Sequence, residues 1–253
     1  MSNMTSKRTV KALAIVLGTT LLMTGQVQAT SLADLISSGG SLTVGDKVFS
    51  NFNYTATGFD NHAVAIGTPW DNTTAAYLAQ AALIDVNGTT IAGNYGLEFL
   101  GEWHAHPSNS ATAQISYLVT SLGGYITDFH LDGAPKAIGH SSAEVTESLL
   151  SPLAHTPIPT IPPTLLSVYD LGGSAVNLSA TSDVVGGAGY KLTSVFVQTD
   201  IRVAALNGEG NYGQVTHIEE TFSQAVPEPS SYAMMLAGLA VVGTINRRRR
   251  RNN

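Results

Sequence analysis

Between Leu97 and His106 the sequence alternates with a period of two. Leu97, Phe99, Gly101, Trp103 and Ala105 hold the odd positions, and Glu98, Leu100, Glu102, His104 and His106 the even ones. Successive side chains of a β-strand point to opposite faces. This segment therefore has one apolar and one mostly polar face, with Phe99 and Trp103 directed into a core. The rhythm recurs in Ala113–Leu122, where Ile115, Tyr117 and Val119 share a face, and in Gly124–Asp132, where Tyr125, Phe129 and Leu131 oppose Asp128, His130 and Asp132. Further runs cover Thr164–Tyr169, Gln214–Phe222 and Lys191–Leu206, the last with Val195, Val197, Ile201 and Val203 in one parity. Turns rich in Gly, Asn and Asp separate them, the pattern of an antiparallel β domain rather than a helical bundle.

The expectation is an all-β fold, an antiparallel, jelly-roll-like β-sandwich over residues 30–225. A short helix fits Ser31–Ser37, and Ala75–Val86 fits either a strand or a short helix. Pro152, Pro157, Pro159, Pro162 and Pro163 crowd residues 151–164. Proline donates no ladder hydrogen bond, so this stretch reads as an extended connector. The roughly 60 residues beyond it are marginal for a core of their own and are expected to complete the same sandwich. No repeat of about 20–50 residues is present.

Composition narrows the chemistry. The 253 residues include no Cys, which removes disulfide frameworks, thiolate zinc sites, iron–sulfur clusters and thiol catalysis. Only 12% are charged, about half the share of an ordinary soluble domain, and the net charge is −6. That total hides a segregation. Lys7, Arg8 and Lys11 lie at one end and Arg247–Arg251 at the other, so residues 30–225 keep only Lys47, Lys136, Lys191 and Arg202 against 17 of the 18 acids, a net −13. So acidic a body is not expected to bind nucleic acid.

Both ends read as addresses. Residues 1–29 combine a basic start, the apolar run Ala12–Met23 and small residues at Val27 and Ala29, the layout of a secretory signal peptide cleaved between Ala29 and Thr30. That run, about a dozen residues, is shorter than the ~20 that span a bilayer, so cleavage after passage through the secretion translocon is expected. At the other end Val226, Pro227, Glu228 and Pro229 precede the apolar segment 230–245 and then Arg247, Arg248, Arg249, Arg250 and Arg251. As a helix, residues 230–245 cover about 24 Å, a short transmembrane span that Tyr232 and Arg247 extend at its interfaces. The arginines stay cytoplasmic and leave the body on the outer side of the inner membrane.

This order of parts, over residues 226–253, resembles the PEP-CTERM sorting signal of Gram-negative bacteria. The resemblance implies recognition by an exosortase, a membrane-embedded, cysteine-transpeptidase-like enzyme that processes the tail near Pro227-Glu228-Pro229 during export to the surface or extracellular matrix. The body resembles members of the same group in Ser31–Ile36, Gly45–Lys47, Phe49–Phe52 and Glu219–Phe222.

The sharpest candidate for chemistry is Gly101-Glu102-Trp103-His104-Ala105-His106-Pro107-Ser108. On a strand, His104 and His106 point to one side with Glu102, so the imidazoles could share a metal. The segment resembles the metal-binding core of JAB/MPN-type zinc proteases, in which His-x-His-Pro and a following Ser are completed by an Asp. The resemblance implies zinc on His104 and His106 and an upstream Glu as general base. Where that Asp belongs, this chain has Ser116, Tyr117 and Leu118, and the next downstream acid is Asp128. Catalytic zinc needs three protein ligands and an open position, so the pair is expected to be a polar strand face, with a metal-dependent hydrolase as the alternative. Asp128, His130 and Asp132 would add a zinc or copper face if their strand paired with that of the histidines. Calcium is the other candidate ion, at Asp60, Asn61, Asp71 and Asn72, which lack EF-hand spacing.

No Gly-x-Ser-x-Gly elbow accompanies the scattered His62, His140, His155 and His217. Glu144 with Glu147, and Glu219 with Glu220, have the composition of glycosidase pairs, but acids on polar strand faces are expected. Gly186–Gly189 reads as a turn. Trp70, Tyr95 or Tyr212, if exposed, would stack on sugar rings in a carbohydrate-binding module. The leading expectation is an exported, exosortase-processed surface or matrix protein without catalytic activity or cofactor, associated with exopolysaccharide or biofilm material.

Overall fold

The computed structural model describes residues 29–58, 79–153, 155, 158, 166–172, 178–186 and 191–224. Thr30–Ser31 is a two-residue strand, β1, after which Ser31 caps the helix α1 (Leu32–Ser38) by accepting the Asp34 backbone N–H at 3.1 Å. Gly39, at φ 60°, closes the helix in the left-handed conformation that glycine takes at little cost. Leu32 and Leu35 form its buried face.

Among the described residues twelve more strands follow. They are β2 (Leu42–Val44), β3 (Lys47–Thr57), β4 (Asp85–Ile91), β5 (Asn94–Ala105), β6 (Asn109–Ser121), β7 (Ile126–Ile138), β8 (Ser141–Leu150), β9 (Leu166–Leu171), β10 (Leu178–Ala180), β11 (Ser182–Gly186), β12 (Ser194–Ala205) and β13 (Tyr212–Gln224). They form two antiparallel sheets, ordered β1-β4-β5-β13-β7-β11 and β10-β9-β8-β12-β6-β3-β2. Eight strands make one long ribbon, with β5 paired to β13, β6 to β12, β7 to β11 and β8 to β9. The ribbon is rolled so that β13 also meets β7, and β12 also meets β8, which is a jelly-roll arrangement. Strands from beyond the Pro-rich stretch 151–164 are inserted between earlier ones in each sheet, β13 between β5 and β7 and β12 between β8 and β6. Of that stretch, His155 stacks on Phe196 with ring centroids 4.1 Å apart.

Most of the expected core faces hold. Phe99, Trp103, Ile115, Tyr117, Val119, Val195, Val197, Ile201 and Val203 are all buried. Tyr125 is not. It is 44% exposed, and Ile126 is buried in its stead. Phe129 faces Phe222 while Ile126 faces Gln224, so β7 carries one extra residue there and the parity changes. Bulging also disguises β3, which the alternation did not reveal. Its ladder to β6 slips between Ser50 and Asn53, and Asn51 within the slip has φ 56°. Of Ala75–Val86, residues 79–81 make a helical turn and β4 starts at Asp85, while 75–78 lie outside the described residues.

Tyr117 lies among Phe49, Phe52 and Phe99, with centroids 5.7–6.0 Å away. Into this apolar layer two acids are folded. Glu147 and Glu220 are fully buried, not on polar strand faces. The period-two rule puts Glu147 in phase with Ala143, Val145 and Leu149, and Glu220 in phase with Ile218 and Phe222. The Tyr117 and Thr199 hydroxyls both donate to the Glu220 carboxyl. Since β6 and β12 belong to one sheet and β13 to the other, Glu220 ties the two together. Glu147, opposite Thr199 in the ladder, has no hydrogen-bond partner on either carboxyl oxygen.

Burial, then the charges of Glu220 and Asp183, hold the Glu147 pKa well above the carboxylate range. Burial likewise pushes Glu220 up to about 7, against the lowering effect of its two hydroxyl donors. Each acid therefore binds its proton more tightly in the folded chain. Stability from such a group is fully present below its unfolded pKa and is lost as pH rises through the folded one. The melting temperature should fall by roughly 5–10 °C between about pH 5 and pH 8, and Glu147→Gln, which removes one of the two buried titrating carboxyls, should flatten that slope. A Tm that holds or rises over this window would rule out protonated acids in the core.

Candidate functional site

The ladder between β5 and β13 slips at one place. Val215 faces Trp103 and His217 faces Leu100, so Gly101 and Glu102 together oppose Thr216. A bulge of this kind re-aims side chains. At the same level the ladder between β4 and β5 ends at Asp85 and Leu100. The gap is bordered by Gln80, Leu83 and Ile84, and with Tyr54, Leu100, Gly101, Glu102, Trp103, His104 and Thr216 they line a cavity of about 560 Å³. That volume is typical of small-molecule sites.

Its floor is fixed by packing. Gly101 carries no Cβ, and one placed there would lie 2.8 Å from the Trp103 ring. Trp103 hydrogen-bonds the Tyr54 side chain, whose hydroxyl donates to Gln80 Oε1 at 3.4 Å. Burial raises the Tyr54 phenol pKa far above its ordinary value. Tyr54, Ile84 and Trp103 are buried, Leu83 and Leu100 are exposed, and Glu102 is the exposed carboxylate of the lining.

Beside the cavity the two histidines meet on one side of β5. The His104 and His106 ring centroids are 5.0 Å apart, and Tyr212 lies 6.1 Å and 5.8 Å from them. His104 is only 8% exposed, so it does not stand on an open strand face, whereas His106 is exposed. Partial burial, then the Glu102 charge, raises the Tyr212 pKa. The loops at this end are pinned. Asn211 accepts the His140 N–H at 2.9 Å and donates to the Leu206 carbonyl at 3.0 Å, while Ser141 Oγ lies 2.8 Å from the carbonyls of both Ile138 and Tyr212.

The wider metal face does not form, because β13 lies between β5 and β7. Asp128, His130 and Asp132 are thus a full strand away from the histidines. His130 instead meets Asn94 at 3.4 Å and Ser223 at 3.2 Å. Among the described residues no three His, Asp or Glu gather as a metal site. The glycosidase-like pairs are divided, since Glu147 and Glu220 point into the core while Glu144 and Glu219 are only partly buried. Glu219 accepts from Thr89, and Glu98 pairs with His217 at 3.2 Å. Tyr95 covers Gly45 and lies 5.9 Å from the Lys47 ammonium, so it is no open platform. Asp60, Asn61, His62, Trp70, Asp71, Asn72 and most of Gly186–Gly189 lie outside the described residues, as do Val27 and everything from Ala225 onward. Among the described residues no helix is long and apolar enough to cross a membrane. Tyr54, Gln80, Ile84 and Thr216, which shape the cavity, carry no motif.

Residues 225–251 match the PEP-CTERM protein-sorting motif, which takes in Val226, Pro227, Glu228, Pro229 and the five arginines. No curated protein matches the chain in sequence. Among solved structures the chain is similar to a carbohydrate-binding module, TmCBM61 in complex with β-1,4-galactotriose, at 11% identity and TM-score 0.24 over 67% of this chain and 88% of that one. It is also similar to the enzymatically active domain of tailspike protein 4 of bacteriophage CBA120, at 11% identity and TM-score 0.25 over 66% of this chain and 19% of that one. At such scores neither bears on what this chain binds.

Two imidazoles fall short of the three protein ligands of a catalytic zinc site. The purified protein should therefore contain no stoichiometric zinc or copper by elemental analysis. One zinc per chain, lost in His104→Ala, would make the pair a metal centre.

Proposed function

We propose that this chain is exported, processed by an exosortase and delivered to the cell surface or extracellular matrix, where its body acts without catalysis and associates with exopolysaccharide. The sorting motif over residues 225–251 carries this reading. In it the translocon takes residues 1–29 and Thr30, already in β1, becomes the first residue of the mature chain. Residues 230–245 and Arg247–Arg251 then hold the precursor in the inner membrane until the exosortase acts near Pro227-Glu228-Pro229. The body supports a binding role. It offers a cavity with exposed apolar residues, Leu83 and Leu100, beside polar ones, and its candidate acid pairs are split between core and surface.

The body is also well placed for display. β13 runs from Tyr212 to Gln224, about 40 Å at ~3.3 Å per residue, and the sorting motif follows directly. Tyr212, His104 and His106 thus lie at the end of the strand remote from the tail. A metal-dependent hydrolase on His104 and His106 is the second reading, favoured by the 5.0 Å between their rings, and the zinc measurement decides it.

Replacing Pro227, Glu228 and Pro229 with alanine should leave the precursor, minus its signal peptide, in the inner membrane of a cell with an active exosortase. Release of that variant at the normal rate would overturn the sorting assignment.

A further inference from the structure

We infer that the cavity over the Gly101–Glu102 bulge is a subsite for a cationic, amine-bearing glycan, with one amino-sugar ring against the exposed Leu83 and Leu100 and the ammonium beside Glu102. This rests on the reading of the body as a polysaccharide-associated domain and specifies the polymer.

The lining sets the exposed Leu83 and Leu100, above the buried Trp103, Tyr54 and Ile84, beside Gln80, Thr216, His104 and Glu102. A sugar ring suits that mixture, since it has an apolar face to bury and hydroxyls around its edge. A purely apolar ligand would strip Gln80, Thr216 and Glu102 of water without replacing their hydrogen bonds. Charge then selects among sugars. Among the described residues no Lys or Arg lines the cavity, and its titratable side chains besides Tyr54 are the exposed Glu102 and the nearly buried His104. A neutral ring brings no charge to meet the exposed Glu102 carboxylate, and a uronic acid would add a second anion. An ammonium pairs with it.

The same sign extends over the molecule. Glu98, Glu219 and Asp132 are direct neighbours across β5, β13 and β7 on the outer face of the sheet, and residues 30–225 carry a net −13. Adjacent strands are about 4.8 Å apart, close to the repeat of one ring in an extended glycan, so a polymer seated in the cavity can place successive amines near this row. Such a field speeds the approach of a polycation and repels anionic polymers.

The test uses the mature secreted protein at about pH 6, where glucosamine amines are charged, with oligomers of glucosamine, N-acetylglucosamine, glucose and mannuronate as probes in calorimetry. Glucosamine oligomers should bind at least about tenfold more tightly than any other, and Glu102→Gln should weaken them about tenfold with the Tm unchanged. Asp200→Asn, on the other sheet, should leave binding as it is. Several outcomes would overturn the assignment. An oligolysine bound as tightly as the glucosamine oligomer means charge alone, and full affinity in Glu102→Gln means another site. Preferential binding of the glucose or mannuronate oligomer would leave the polysaccharide reading intact but remove the cationic one. Binding of none would remove both, while sorting is judged separately by the Pro-Glu-Pro variant.

Discussion

The last described strand stands in the middle of its sheet, hydrogen-bonded on one edge to β5 and on the other to β7. Register along β13 therefore decides what every neighbouring residue faces, because a slip of one residue would turn all its side chains over. With the register as it is, Val215, Ile218, Glu220 and Phe222 enter the core. Thr216 then falls against the bulge that opens the cavity, and Tyr212 falls against the two histidines. Fold and candidate site are fixed by one ladder.

What holds that register is polar. An apolar core accepts many alternative packings at similar cost, whereas a buried carboxyl accepts few. Glu220 finds two hydroxyl donors, Tyr117 and Thr199, on two strands of the opposite sheet. Moved outward by a slip, it would leave both hydroxyls without their acceptor. Moved inward elsewhere, it would be an unpaired buried acid. Glu147 shows the cost of the second situation. With no partner of its own it is tolerable in the core as a neutral acid, which is how burial and its neighbour hold it.

The sheet class, the helix at Ser31, and the inward faces of β5, β6 and β12 were legible in the sequence, because the buried residues keep one parity along those segments, in β5 even across its bulge. Legibility ended at the bulges of β3 and β7. One extra residue near Asn51 hid β3, and one near Thr127 exchanged Tyr125 for Ile126. Strand order was also beyond reach. Nothing local says that β13 would come between β5 and β7, so the opposing metal face looked available. The buried acids were readable but were misjudged: Glu147 and Glu220 lie in phase with apolar neighbours, and only the habit of placing acids outside argued against it. The cavity was invisible because it is built from Tyr54, Gln80, Ile84 and Thr216, residues brought together by topology and not by spacing.

The place of β13 also sets how the molecule would bear a load. Gln224 leads straight into the matched segment 225–251, so a pull on the tail is a pull along β13. In antiparallel ladders the hydrogen bonds lie across the strand direction. Force along β13 must shear the bonds to β5 and β7 together, and cannot unzip them one at a time. At the other end of the body, β1 is two residues long at the rim of the same sheet and would peel. Under tension β1 would yield before β13.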